Sequence, residues 1–291
     1  LYHLAPKPMG VQTLTTGERK NTMSTSWNFG AGDTANGSVG FGGSIGGIAQ
    51  GIYEESSIQK GPLGSSLEFD DGRRFRYSLS AAGITIGNVC SSQYSDGLLT
   101  EQDSTTTVSA TAGNDYFSLT GSGSQFSTTA NFYAGGYIVF TDGTGAGQCY
   151  RIKSHTTASS DKITFNLYDA LVTAPVAATG VMIVGNPYGA VLTNDSTSPG
   201  ATTDSWVVGV NPIAITSGYY FWLQTRGVAA VHWDGNTTGT PKYGQELVMS
   251  DEHDGLVEIK LTAHDGFRTI GYYVGSTADD NDYVAASLSL E

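Results

Sequence analysis

Gly136-Tyr137-Ile138-Val139-Phe140-Thr141-Asp142-Gly143-Thr144-Gly145-Ala146-Gly147-Gln148-Cys149-Tyr150-Arg151-Ile152-Lys153 decides the fold class. Apolar and polar residues alternate on both flanks, which is the period of a half-buried strand. Between them, Asp142-Gly143-Thr144-Gly145 supplies the turn, so the stretch reads as a β-hairpin. The same alternation recurs outward in both directions. Towards the N-terminus it appears at Arg74–Leu79, Ile84–Cys90, Thr105–Ala110 and Tyr116–Leu119. Towards the C-terminus it appears at Ile163–Leu167, Val181–Val184, Val207–Val210, Tyr219–Thr225 and Val228–Trp233, and again at Leu256–Leu261, Thr269–Val274 and Tyr283–Leu290. Short strands at intervals of about 8–12 residues, separated by Gly, Asn and Asp turns, specify an all-β chain of small β-barrel or sandwich modules. No segment carries a helical period beyond about two turns.

Composition narrows the class further. The 291 residues include 39 glycines and 2 cysteines, and 14% are charged, against about 25% in ordinary soluble domains. A hydrophobic fraction of 39% is too high for a disordered acidic tail. Two cysteines make no disulfide framework, so an apolar core carries the stability. Cys90 and Cys149 read as buried free thiols, with a disulfide as the less favoured alternative. No apolar run approaches the roughly 18 residues of a membrane helix, and no signal-peptide pattern is visible. The net charge of −13 is unevenly placed: residues 1–77 hold seven basic and seven acidic side chains, and residues 78–291 hold seven and twenty. An acidic body repels phosphate backbones, which argues against a nucleic-acid partner.

Residues 1–77 read as an extended Gly-rich N-terminal arm. The segment Gly30–Gly51 is too rich in glycine to offset its ordering entropy alone. Yet Trp27, Phe29, Phe41, Ile45, Ile48 and Ile52 interrupt it, as anchors that order against a partner surface do. Residues 78–98 plus 187–291 form the expected barrel or sandwich core. Residues 99–186 form an inserted or second β module, bounded by the turn Asn186-Pro187-Tyr188-Gly189 and the polar loop 192–205.

No catalytic, cofactor-binding or metal-binding constellation stands out. Gly42-Gly43-Ser44-Ile45-Gly46 matches a nucleophile elbow in letters, but neither the strand nor the helix that such an elbow requires flanks it. His253 and His264 lie among Asp251, Glu252, Asp254 and Asp265, which raises a divalent-metal site if two loops converge. Their spacing matches no local metal motif, so solvated turns are the preferred reading. Asp279-Asp280-Asn281-Asp282 lacks the glycine and terminal Glu of a calcium loop. Twenty acids in the body allow many carboxylate pairs for glycoside hydrolysis, and sequence singles out none. Tyr219-Tyr220-Phe221-Trp222 places two residues on each face of a strand. One pair is read as core, the other as packed under a loop or entering a subunit interface. Asn36, Asn194 and Asn236 lie in glycosylation sequons.

Several stretches carry a family resemblance. They are Asp71–Leu79 running into Ala82–Cys90, Trp206–Val210 with Ile215–Val231, Ile270–Val274 and Tyr283–Leu288; Asp142–His155 resembles a module of phage structural proteins. Together these resemble the capsid decoration (cement) proteins, and related structural proteins, of tailed bacteriophages. The resemblance implies a small β-barrel without enzymatic activity or cofactor. It implies a homotrimer on the outer surface of the capsid, whose partner is the major capsid protein and which contacts neither nucleic acid nor membrane. The glycine-rich arm and the 99–186 module exceed what small members carry. On this reading Lys20, Trp27, Phe29, Phe41, Ile45, Ile48, Arg73, Arg74 and Arg76 form the capsid-binding arm, and Tyr219, Tyr220, Phe221 and Trp222 the subunit interface. The alternative is a tail-fibre or host-recognition module that binds glycans; a third reading is a secreted β-sandwich hydrolase.

Overall fold

A computed structural model describes residues 48–92, 101–102, 107–121, 126–176, 180–195, 206–235, 241–264, 266–275 and 279–291. The chain is nearly all β, with 44% in strands and 1% in helix, as the alternation predicts. Ten strands form one sheet: β1 (Ser66–Glu68), β2 (Arg74–Leu79), β3 (Val89–Ser92), β11 (Val191–Thr193), β12 (Trp206–Val210), β13 (Tyr220–His232), β14 (Glu246–Met249), β15 (Val257–Ile259), β16 (Gly271–Gly275) and β17 (Tyr283–Ser289). Its main path runs β11-β3-β12-β13-β17-β16-β14-β15, with β2 on β13 and β1 on β2. The other seven, within 101–184, form a sheet of their own: β4 (Glu101–Gln102), β5 (Thr107–Ala110), β6 (Tyr116–Thr120), β7 (Tyr137–Phe140), β8 (Cys149–His155), β9 (Lys162–Leu167) and β10 (Val181–Val184), in the order β4-β10-β7-β8-β9-β6-β5. Every strand pairing in both sheets is antiparallel.

The opening stretch is the β7–β8 hairpin, paired Tyr137 to Arg151, Ile138 to Tyr150 and Val139 to Cys149. Its connection is wider than a two-residue turn, because Gly143, Gly145 and Gly147 all take left-handed backbone. Along β8 the period of two holds through Lys153: Tyr150 and Ile152 point into the core, Arg151 and Lys153 outward. An irregularity between Ile152 and Ser154 then lets His155 face inward beside Phe165.

The strand β13 organises the large sheet. Residues Phe221 to Thr225 are all buried, because both faces of this half are covered. Phe221 and Leu223 pack with Ile84, Cys90, Val191, Val208 and Ile215. Trp222, on the opposite face, packs with Ile48, Ile52, Leu67, Phe75 and Tyr77. After a register irregularity at Gln224–Arg226, β13 leaves β2 and pairs with β17. Gly227 sits at this crossing with φ of +84°, and a Cβ there would come within 2.9 Å of Arg73 Cα.

Three expectations change. Residues 48–77 are not an arm. Their apolar side chains find a partner face within the chain, where Trp222 Nε1 donates to Gln50 O (2.8 Å), Tyr77 Oη donates to Gln50 Oε1 (2.9 Å) and Gln50 Nε2 donates to Tyr220 O (2.8 Å). Ile84–Cys90 is not one strand: Ile84 makes an isolated bridge to Ile215, left-handed Gly87 breaks the run, and β3 begins at Val89. The two cysteines are unbonded, Cys90 buried as expected but Cys149 exposed at the start of β8.

Candidate functional site

The β14–β15 hairpin gathers the acidic and imidazole groups that the sequence scatters. Glu258 is the middle residue of β15 and is only 7% exposed; the turn before it carries Ser250, Asp251, Glu252 and His253. A 3-10 turn, Thr262–His264, brings His264 back against them, with its ring stacked on Phe267. His264 Nε2 lies 3.3 Å from Glu258 Oε1 and 3.6 Å from Asp251 Oδ2. Burial, then the charge of Asp251 and those of Asp234 and Glu252, push the Glu258 carboxyl up to about 7. Among the described residues, the side chains that face these carboxylates are imidazoles, without a Lys or Arg.

Asp251, Glu258 and His264 each offer a ligand atom within 4.8 Å of the others. Hydrogen bonding argues against the histidine as a ligand. Leu261 N–H donates to His264 Nδ1 (3.1 Å), so Nδ1 is the acceptor and Nε2 carries the proton that faces Glu258. The nitrogen aimed at the carboxylates therefore presents an N–H rather than a lone pair. Solvated turns are a correct description of His253, whose side chain is 48% exposed, but not of His264, which is 4% exposed. Glu258 belongs to no sequence motif; its signal is one charged residue inside the apolar run Leu256-Val257-Glu258-Ile259.

Ser250, Asp234 and His253 also meet, and their wiring is not that of a nucleophile. Ser250 Oγ donates to Asp234 Oδ2 and accepts from the backbone N–H groups of Glu252 (3.0 Å) and His253 (2.9 Å). His253 Nδ1 faces the same Asp234 oxygen at 3.1 Å, so the hydroxyl is bonded to the acid and not to the imidazole. The arrangement caps the turn.

A second site is a groove of about 470 Å³ between the two sheets. Arg151 and Lys153 line it from the outward face of β8, with Tyr168 and Asn131 beside them and Gln59 and Tyr220 across. The Arg151 guanidinium lies over the Tyr168 ring, 5.0 Å from its centroid. Among the described residues, neither Arg151 nor Lys153 forms an ion pair with a carboxylate. Asn131 adopts left-handed backbone at this edge, and its Oδ1 accepts from His155 N (3.0 Å).

The residues expected to bind a capsid are placed differently from the expectation. Arg73 bonds Asp71 Oδ2 (2.6 Å) and lies over the ring of Phe69. Arg74 pairs with Glu68 (3.0 Å), its cross-strand neighbour on β1. Arg76 grips Glu291 through Nε and Nη2, at 2.8–3.0 Å, and Tyr188 Oη donates to the same carboxylate at 2.8 Å. These arginines are neutralised from within the chain. Ile48 is buried under Trp222. Lys20, Trp27, Phe29, Phe41 and Ile45 lie outside the described residues, as does the Gly42–Gly46 motif. Phe221 and Trp222 are buried, on opposite faces, and Tyr219 and Tyr220 are half-buried against the same clusters, so both faces of the tetrad pack on the chain's own core. Asn194 of the second sequon is 1% exposed. Comparison with protein-family profiles, curated proteins and solved structures finds no match for this chain.

Proposed function

We propose that this chain is a virion structural protein of the decoration class, a homotrimer bound to the outside of a phage capsid and bridging major capsid protein subunits. The observation that carries the reading is how the glycine-rich N-terminal region joins the body. Ile48 and Ile52 are buried beneath Trp222, Gln50 is hydrogen-bonded to Tyr77, Tyr220 and Trp222, and Ser56 bridges Tyr220. A strap works only if tension on it reaches a rigid element, and this joint delivers it to the most buried stretch of β13. The segments that carry the family resemblance give a second support, since β12, β13, β17 and β16 are consecutive strands of one sheet.

The mechanism is linkage. A protein that binds across a seam of an assembled shell, and not its separated subunits, stabilises the shell by that difference in binding free energy. Residues 1–47, carrying Lys20, Trp27, Phe29, Phe41 and Ile45, supply reach and anchors. The arginines of β2, already paired, do not take part. The acidic body faces water. Copy number per virion tests the reading: quantitative mass spectrometry of purified particles is expected to give hundreds of copies, and tens or fewer would assign the chain to a fibre instead.

A further inference from the structure

Independently of the shell-binding reading, we propose that the groove between the two sheets binds a short saccharide bearing carboxylate groups, with Arg151 and Lys153 as its anion receptor. These two cations stand two residues apart on one strand face, about 7 Å from each other. Among the described residues they have no carboxylate partner, in a chain whose net charge is −13, and they stand in a concavity rather than on a convex surface. Stacking on Tyr168 orients the Arg151 fork before any ligand arrives, which lowers the ordering cost of a bidentate contact.

The chemistry of the groove selects among anions. β8 is paired on one side with β7 and on the other with β9, so no strand edge is open to receive an extended peptide as an added strand. Recognition therefore falls to side chains. Asn131 has its carbonyl engaged by His155 N–H, which leaves its amide N–H groups as donors, and Gln59 adds an amide across the groove. Phe132 and Tyr220, both half-buried, give apolar surface between these polar groups. Alternating amides and aromatic surface suit a ring with hydroxyls on its rim and an apolar face. A volume of about 470 Å³ falls within the usual small-ligand range of roughly 300–1,000 Å³. A nucleic-acid backbone would meet two cations set in an acidic body, too few to offset the repulsion.

The test is titration calorimetry on the full chain with a galacturonic-acid trisaccharide and its methyl ester. The acid is expected to bind. The ester, and the Arg151→Gln/Lys153→Gln variant with the acid, are each expected to bind about tenfold more weakly or worse, since each removes charge-assisted hydrogen bonds. Arg151→Lys, which keeps the charge but not the fork, is expected to fall between. Thermal melting checks that the variants fold; both side chains are exposed, so an unchanged midpoint is expected. Lack of binding by the acid, equal binding by the ester, or full binding by the double variant would overturn the proposal. So would tighter binding at the same residues by an oligoglutamate peptide, which would assign the groove to a protein partner.

Discussion

Arg74 and Arg76 on β2, and Arg151 and Lys153 on β8, are the same local device: two cations at alternate positions of a strand. Their surroundings separate them. Glu68 is the cross-strand neighbour of Arg74, and Glu291, 215 residues away in sequence, accepts from Arg76. The β8 pair has no carboxylate partner among the described residues. The cluster around Glu258 is the reverse case, carboxylates faced among the described residues by imidazoles rather than by a Lys or Arg. A cation's role is thus set by what the fold brings to it. Compensated charge fastens the body, and uncompensated charge in a concavity is available to a ligand.

The comparison breaks most severely if the platform under β2 is removed. Trp222→Ala is expected to cost about 3–5 kcal/mol by chemical denaturation, because it empties the space against which Ile48, Ile52 and Tyr77 pack. Glu258→Gln comes next and has the opposite sign. With a folded pKa of about 7 against an ordinary 4.5, Glu258 favours the folded state fully below pH 4.5, and that contribution is lost as pH rises through 7. The variant is expected to flatten the stability-versus-pH curve between these values, gaining no more than about 3 kcal/mol at neutral pH. An unchanged curve would mean that the carboxyl is not held protonated by its surroundings.

Glu291→Gln probes the compensated arginines. Burial opposes the Glu291 carboxylate, but the bonds from Arg76 and Tyr188 outweigh it and hold its pKa below the ordinary value. Its stabilisation is therefore present at neutral pH and lost as pH falls through the folded pKa. The substitution is expected to cost about 1–3 kcal/mol at pH 7 and progressively less in acid. The smallest effect belongs to the other basic pair: Arg151→Gln/Lys153→Gln is expected to leave stability within about 0.5 kcal/mol. A large loss there would mean that these cations, too, fasten the body.

Much of the fold was legible because period-two alternation needs only neighbouring residues. The β7–β8 hairpin and the inward and outward faces of β8 follow from it directly. The end of the arm did not, because Phe75 and Tyr77 are buried by Trp222, a contact that local sequence cannot express. The pairing of Arg76 was hidden for the same reason, since Glu291 is remote in sequence; those of Arg73 with Asp71 and of Arg74 with Glu68 are local. The tetrad Tyr219–Trp222 showed its two-faced character, yet period two cannot tell a strand covered on both faces from one that meets another subunit. His264 and Glu258 were read as turn and strand text because the 3-10 turn that joins them leaves no periodic trace.

The most direct measurement is co-sedimentation of the purified protein with phage shells assembled from the proposed partner, a major capsid protein, comparing the full chain, residues 48–291 and Arg76→Gln. Both variants keep the buried joint at Ile48 and Gln50, and melting curves confirm that they are folded. The expected result is that the full chain and Arg76→Gln pellet with the shells, whereas residues 48–291 stay in the supernatant. Pelleting of residues 48–291 as efficient as that of the full chain, with loss of binding by Arg76→Gln, would contradict the proposal that residues 1–47, and not the paired arginines of β2, hold the shell.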